Sequence, residues 1–345
     1  MANSSSAITK TVAVLLKSLS VRNRDIISRR FGLKTGQKET LESIGKSYGI
    51  TRERVRQIEE FSLAQLAKTT VAVPEVNSYV SLAKDVLGGN GGVLKESELF
   101  KAFSGSDKEN VVNASLVFVL TLAGSPVRLG ENESFNSFWA VDKQTADLFK
   151  GSASDLVRSL GKNQKPVTGS DFGSFAEKNG VNSFRDMNIF LSVSKELGRN
   201  VYGEVGLVSW AEVMPKGVRD KAYMVLKKEN KPKHFSEIAK LINSTGFSAR
   251  KANVQTVHNE LIKDSRFVLV GRGMYGLSEW GYKPGTVKDV LVDILKGSSK
   301  PVLKADLVAK VLGTRMVKEN TILLNLQDSK VFSKKDDGTY VLRKA

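Results

Sequence analysis

The sequence predicts a mainly α-helical protein with small β wings, in which an amino-terminal helix-turn-helix is followed by winged-helix domains in tandem. Apolar residues recur at helical spacing along most of the chain. The three tryptophans close similar segments and lie 71 and 70 residues apart. Each of these segments ends in β-rich stretches around glycine, as expected of hairpins. The 345 residues exceed the size of about 250 residues at which single cores stop growing, so several domains are expected.

The positive charge is concentrated at the two ends of the chain. The net charge is +17, of which residues 1–72 carry +7, residues 73–212 carry −3 and residues 213–345 carry +13. Basic segments favour polyanionic partners, with nucleic acid first and an anionic membrane surface second. A membrane-binding amphipathic helix would stand apart from the globular pattern, and none does, so we expect no membrane partner.

Several chemical classes are excluded by composition. The chain has no cysteine and two histidines that lie far apart, His234 and His258. Thiolate nucleophiles and cysteine-containing metal sites are therefore ruled out, and no catalytic constellation is visible. We expect no enzyme, no cofactor, no metal and no small-molecule substrate. No apolar stretch reaches the roughly 20 residues of a membrane span and no export signal is visible, so we expect a cytoplasmic, nucleoid-associated protein.

The first predicted domain, residues 1–72, contains the helix-turn-helix. Thr40 is placed to cap a short helix, Gly49 to end it, and Thr51 to cap the next helix. The inward positions of the two helices are Leu41, Ile44, Tyr48, Val55 and Ile58. This pattern leaves Arg52, Glu53, Arg54, Arg56 and Gln57 on the outer face of the second helix. Arginine and glutamine in the first turns of such a helix suit base edges and phosphates in a major groove.

These residues resemble a known family. The stretches RRFGL at 29–33 and TLESIGKSYGITRERVRQIE at 40–59 are similar to the region 4 DNA-binding domain of primary sigma factors, which recognises the promoter −35 element. The resemblance covers roughly residues 12–70. It implies that Arg52, Glu53 and Gln57 contact bases and that Arg54 and Arg56 hold the DNA backbone. Lys46 and Thr51 complete the predicted DNA-binding set of this domain.

The resemblance to sigma factors is incomplete. The segment after Ile58 is less basic than is usual in that family, and no other segment resembles the sigma region that opens the −10 element. We therefore do not expect a complete sigma factor.

Four winged-helix segments are predicted after the first domain, at residues 75–142, 143–213, 216–282 and 284–345. In the second of these, the pattern places helices at 144–160, 170–178 and 184–197 and a hairpin at 201–210. The three tryptophans are expected to be core residues where the last strand meets the first helix.

The third segment shows the winged-helix pattern most clearly. Helices are predicted at 219–228, 234–243 and 253–263, followed by a hairpin at 266–277 that turns through Gly271, Arg272 and Gly273. The last helix has an inward stripe of Val254, Val257, Leu261 and Ile262. Outside the stripe lie Gln255, Thr256 and Asn259, which could contact either DNA bases or a protein. Arg272 at the wing tip suits a minor groove or is an ordinary turn residue. His258 is expected to pack against the wing.

The third and fourth segments also resemble the HARE-HTH winged helices found in bacterial RNA polymerase delta subunits. The resemblance rests on HFSEIA at 234–239, QTVHNEL at 255–261 and RFVLVGRGMYGL at 266–277. Members of that family bind both DNA and proteins.

The sequence therefore predicts a sequence-selective regulator of transcription that binds double-stranded DNA through a recognition helix at residues 51–58. Two alternatives stay open. One is a delta-like accessory subunit bound to RNA polymerase, and the other is a nucleoid-architectural protein that binds DNA without sequence preference.

Overall fold

The computed structural model describes residues 2–70, 73–184 and 186–343, which form two compact units, Met1–Ser209 and Trp210–Ala345. The described residues are mainly helical, with small antiparallel sheets, as the sequence predicted. None of the described helices is long and apolar enough to cross a membrane.

The first unit begins with four helices that contain the predicted helix-turn-helix. They are α1 (Ala2–Leu16), α2 (Val21–Phe31), α3 (Leu41–Tyr48) and α4 (Arg52–Thr70). The side chain of Ser20 caps α2, and Gly32 ends it in the left-handed conformation with φ of 70°. These local signals fix where α2 starts and stops.

The next elements of the first unit form a three-helix segment with a three-stranded sheet. They are α5 (Pro74–Gly88), β1 (Val93–Lys95), α6 (Glu96–Ser104), α7 (Val111–Ala123), β2 (Val127–Leu129) and β3 (Phe138–Ala140). The antiparallel sheet has the order β1-β3-β2.

The remaining elements of the first unit include two helices near their predicted positions, whereas the third helix and the hairpin differ from the prediction. They are α8 (Lys143–Asn163), α9 (Phe172–Lys178), α10 (Met187–Val193), β4 (Leu197–Arg199) and β5 (Val205–Leu207). The hairpin β4–β5 therefore starts at Leu197, which the sequence had placed in a helix, and ends before the predicted Trp210. Leu197 and Val205 are buried in the hairpin, so apolar residues that suited a helix serve a strand.

One hydrophobic core joins the amino-terminal helices to the segment that follows them. Leu66 of α4 is buried in the same cluster as Phe118 of α7, and the Phe31 ring packs edge-on against Phe118 with centroids 5.1 Å apart. A Cβ on Gly36 would lie 2.8 Å from the Cα of Asn110, so the loop after α2 lies directly against the start of α7. The helix-turn-helix therefore packs on a hydrophobic core that includes residues beyond residue 72.

The second unit contains two helix–sheet segments. The first consists of α11 (Val218–Glu229), β6 (Lys233–His234), α12 (Phe235–Thr245), α13 (Val254–Lys263), β7 (Phe267–Gly271) and β8 (Met274–Leu277). The second consists of α14 (Val287–Lys296), β9 (Val302–Leu303), α15 (Lys304–Leu312), α16 (Glu319–Leu326), β10 (Phe332–Lys334) and β11 (Thr339–Leu342). Their sheets have the orders β6-β8-β7 and β10-β11-β9, and each segment has its own apolar core.

Two predictions about buried residues need correction. Trp139 is fully buried and donates a hydrogen bond to Glu96 at 3.0 Å, but Trp210 and Trp280 are only partly buried. In α13, Val257 and Leu261 are buried, whereas Val254 and Ile262 are exposed, Ile262 by 63%. The inward stripe of α13 is narrower than its apolar residues suggest, because only the positions that face α11 and α12 are covered.

Candidate DNA interface

The turn between α3 and α4 is set by three local signals. The Thr40 hydroxyl accepts a hydrogen bond from the Ser43 amide at 3.1 Å, which caps α3. Gly49 ends α3 in the left-handed conformation with φ of 64°. The Thr51 hydroxyl accepts from the Arg54 amide at 3.2 Å and caps α4. These three residues occupy the positions that the sequence predicted, so α4 starts at a defined point.

The two helices approach each other closely. A Cβ on Gly45 would lie 2.7 Å from the carbonyl oxygen of Ile50, so only glycine fits at this point of α3. Below the turn, Ile26, Ile44 and Val55 are fully buried together. Leu41, Tyr48 and Ile58 pack around them, as expected from the sequence. The angle between α3 and α4 is therefore fixed by direct packing.

The predicted DNA-binding side chains all lie on the exposed surface of this helix pair. The exposed residues are Lys46 on α3, Thr51 at the turn, and Arg52, Glu53, Arg54, Arg56 and Gln57 on α4. A shallow groove runs beside them and is lined by residues that include Thr40, Glu42 and Arg52. The start of α4 thus presents a polar, mostly basic face.

Several of these side chains are paired with one another. Arg56 forms ion pairs with Glu53 and Glu60, and its hydrogen bonds lower the pKa of the Glu53 carboxyl. Arg54 donates to the Gln57 side-chain oxygen at 3.1 Å. The Arg52 side chain makes no hydrogen bond or ion pair with any residue that the structure describes. Pairs at such exposed positions contribute little stability, so they can be exchanged for other partners at small cost.

The segment that contains α3 and α4 is similar to a known protein family. Residues 15–68 match the family model for sigma-70, region 4. Residues 15–68 form a sigma-70 region 4 domain. The family match leaves residues 1–14 and 69–345 uncovered.

Sigma factors are among the curated relatives that share this segment. The chain is 50% identical over 52 residues to the RNA polymerase sigma factor SigA of Nostoc sp. (strain PCC 7120). The aligned residues make up 15% of this chain and 13% of the relative. It is 51% identical over 51 residues to the RNA polymerase sigma factor RpoS of Coxiella burnetii. That alignment covers 15% of this chain and 14% of the relative. The chain thus spans only about an eighth of the length of the relatives that it matches.

Four charged residues that the sequence did not assign a role hold the region 4 domain together. Arg30 of α2 pairs with Glu59 of α4 at 2.9 Å and donates to the carbonyl oxygen of Glu39 at 2.6 Å. Arg29 donates two hydrogen bonds to the Glu39 carboxylate, at 2.9 and 2.7 Å, which lower the pKa of Glu39. Together these contacts link α2 to α4 and to the loop before α3. No pattern in the sequence indicated which of these charged residues meet.

The second unit holds the other predicted DNA-binding residues. Gln255, Thr256 and Asn259 are exposed on α13, and the Gln255 amide donates to the Asn259 side-chain oxygen at 3.1 Å. Arg272 is exposed in the turn between β7 and β8. The exposed Val254 and Ile262 lie on the same helix, so its outer surface is partly apolar.

His258 has the packing role that the sequence predicted. Its ring stacks on Phe235, with centroids 4.3 Å apart, and meets Tyr275 of β8 edge-on at 5.9 Å. Among the residues that the structure describes, no cluster of three or more histidine, aspartate or glutamate side chains could hold a metal ion.

Proposed function

We propose that this protein is a sequence-selective transcription regulator that binds double-stranded DNA through its region 4 domain. The observation that carries the proposal is the exposed polar face at the start of α4 within a domain whose family binds the promoter −35 element. In this proposal the first two turns of α4 enter the major groove of a −35-like element.

The proposed contacts divide into two kinds. Arg52, Glu53 and Gln57 contact base edges, which gives sequence preference. Lys46, Thr51, Arg54 and Arg56 hold the DNA backbone, which gives affinity but no sequence information. Arg52 is free to reach the DNA, while Arg56 exchanges its carboxylate partners for phosphates.

The rest of the chain is proposed to assist this domain. We assign the four later segments, at residues 75–142, 143–213, 216–282 and 284–345, to winged-helix domains. Gln255, Thr256, Asn259 and Arg272 of the third segment add DNA contacts. The protein acts on DNA in the cytoplasm, next to the nucleoid, and regulates rather than catalyses.

A second candidate function is that of an accessory subunit bound to RNA polymerase. The observation that favours it is that Val254 and Ile262 are exposed on the same helix as Asn259, because apolar side chains suit a protein surface better than a phosphate backbone. This candidate predicts that purified polymerase captures the full chain without DNA, and that Ile262→Asp abolishes the capture.

The direct test of the first proposal is selection from a random duplex library with the full chain at two salt concentrations. Recovery of a motif that resembles a −35 element at both salts, and its loss with Arg52→Ala, supports the regulator. Binding that yields no motif and weakens uniformly with salt supports the nucleoid-architectural alternative instead.

A further inference from the structure

Arg315 is the most buried charged side chain of the second unit that the structure describes, with 4% of its surface exposed. It follows α15, and its Nη2 donates to the carbonyl oxygens of Lys283 and Gly285 at 2.6 and 3.0 Å. Its Nε and Nη1 have no hydrogen-bond partner among the described residues. No carboxylate of those residues lies within ion-pair distance of the guanidinium. Nη2 is therefore held by two carbonyl oxygens, and the positive charge of the guanidinium has no counterion among the described residues.

A buried cation without a counterion is unfavourable. Removing a charge from water is strongly unfavourable unless an opposite charge and hydrogen bonds replace the solvent. Burial lowers the pKa of Arg315, and the attraction of Asp289 opposes that shift only in part. Asp289 forms no ion pair with Arg315; its Oδ2 instead accepts from the amide and hydroxyl of Thr286 and caps α14. An anion beside Arg315 would supply what the chain itself does not.

A surface pocket of about 360 Å³ lies beside this arginine. Its charged lining consists of Arg315, Lys283, Lys310 and a single carboxylate, Asp293, so positive charge predominates. Thr314 also lines the pocket, and its hydroxyl, which donates to the backbone carbonyl oxygens of α15, can still accept a hydrogen bond.

The pocket also has apolar lining residues. Val290 and Ile294 are one helical turn apart on α14, and both are half-buried. The pocket thus combines cationic and apolar lining residues, as sites for small organic ligands generally do.

We propose that this pocket binds a small organic anion, whose carboxylate or other acidic group lies against Arg315 and Lys310 and whose apolar part lies against Val290 and Ile294. The proposal is independent of DNA binding by the region 4 domain, since every residue involved belongs to the second unit.

The test uses the full chain and three probes that separate charge from apolar contact. Octanoate has both features, 1-octanol has the chain alone, and inorganic phosphate has the charge alone. Each probe is titrated by calorimetry, and the methyl signals of Val290 and Ile294 are followed by NMR. Lys310→Glu reverses a charge of the pocket on the exposed surface of α15, where it does not disturb the core. Lys304→Glu makes the same change on α15 outside the pocket and is the matched control.

The proposal predicts saturable binding of octanoate, with shifts of the Val290 and Ile294 methyls, and weaker or no binding of the other two probes. Lys310→Glu is expected to weaken octanoate binding about tenfold or more, and Lys304→Glu by less than about twofold. The proposal is overturned if octanoate does not saturate, if octanol or phosphate binds as tightly as octanoate, or if the two lysine variants behave alike. If the two lysine variants behave alike, the role of Arg315 is only to hold the 283–285 segment through its hydrogen bonds.

Discussion

Gly45 determines how closely the two helices of the region 4 domain approach. Gly45→Ala places a methyl group 2.7 Å from a backbone oxygen, which cannot move without shifting the turn. We expect a loss of about 1–3 kcal/mol in the free energy of unfolding, measured with urea. Gly151→Ala is the control, because this helical glycine of α8 has open space around it. There we expect a gain of about 0.5–1 kcal/mol, and equal effects of the two variants would contradict the account.

Glu60 forms an ion pair with Arg56, so under the proposed function it would compete with DNA phosphates for this arginine. Removing its charge with Glu60→Gln frees one side of Arg56, so we expect the affinity for duplex DNA to rise about twofold at low salt. Fluorescence anisotropy measures the affinity, and the gain should shrink as salt is added. Glu75→Gln makes the same charge change at an exposed position on α5. If both variants raise affinity equally, the Arg56 pair has no part in binding.

Residue patterns predict ends of helices better than partners of side chains. Thr40, Gly49 and Thr51 were assigned correctly because caps act on backbone groups two or three positions away. Val254 and Ile262 were assigned wrongly to the inward stripe of α13. Helical spacing shows that an apolar residue shares a face with its neighbours, but only the packed structure shows how wide a strip of that face is covered.

At the scale of elements, α4 contributes buried residues to two hydrophobic cores. Its first turns carry the exposed polar face, and Val55 packs with Ile26 and Ile44. Its second half enters the larger core through Leu66, alongside α1 and α7. The sequence could not predict this sharing, because the apolar pattern of α4 was explained equally well by a domain that ends at residue 72.

The shared core makes a prediction about α7. Phe118→Ala removes a fully buried ring that contacts Phe31, so we expect a loss of about 3–5 kcal/mol in stability. Amide hydrogen exchange should show that α2 loses protection together with α7. Phe61→Ala removes an aromatic ring that is 66% exposed and should cost no more than about 0.5 kcal/mol. Unchanged protection of α2 in Phe118→Ala would mean that the two parts unfold independently.

At the scale of the whole molecule, the two units differ in charge. Residues 210–345 contain 26 basic and 14 acidic residues, a net charge of +12, against +5 for residues 1–209. Counting charged residues along the sequence predicted this difference in charge, since the net charge of a segment depends on its composition alone. Which lysines reach DNA depends on the fold and could not be predicted in the same way.

If the second unit adds phosphate contacts, its removal should change the salt dependence of DNA binding. Each contact contributes about 0.9 to the slope of log affinity against log salt. We expect a chain of residues 1–209 to have a slope smaller by about 3 or more than the full chain, with the same sequence preference. Arg52→Ala in the full chain is the control and should reduce the slope by no more than about 1. Equal slopes for the two chains would show that the second unit does not touch DNA.

The central claim is that the exposed face of α4 recognises DNA sequence, and the base-by-base affinity of a selected duplex tests it most directly. Gln57→Ala should lose discrimination at one base pair, by about 1–3 kcal/mol, while it keeps the other preferences. Gln65→Ala is the matched control, since this exposed glutamine lies two turns further along α4 and bonds the carbonyl oxygen of Ser18 at 3.3 Å. An unchanged profile in Gln57→Ala, or the same change in both variants, would contradict the claim.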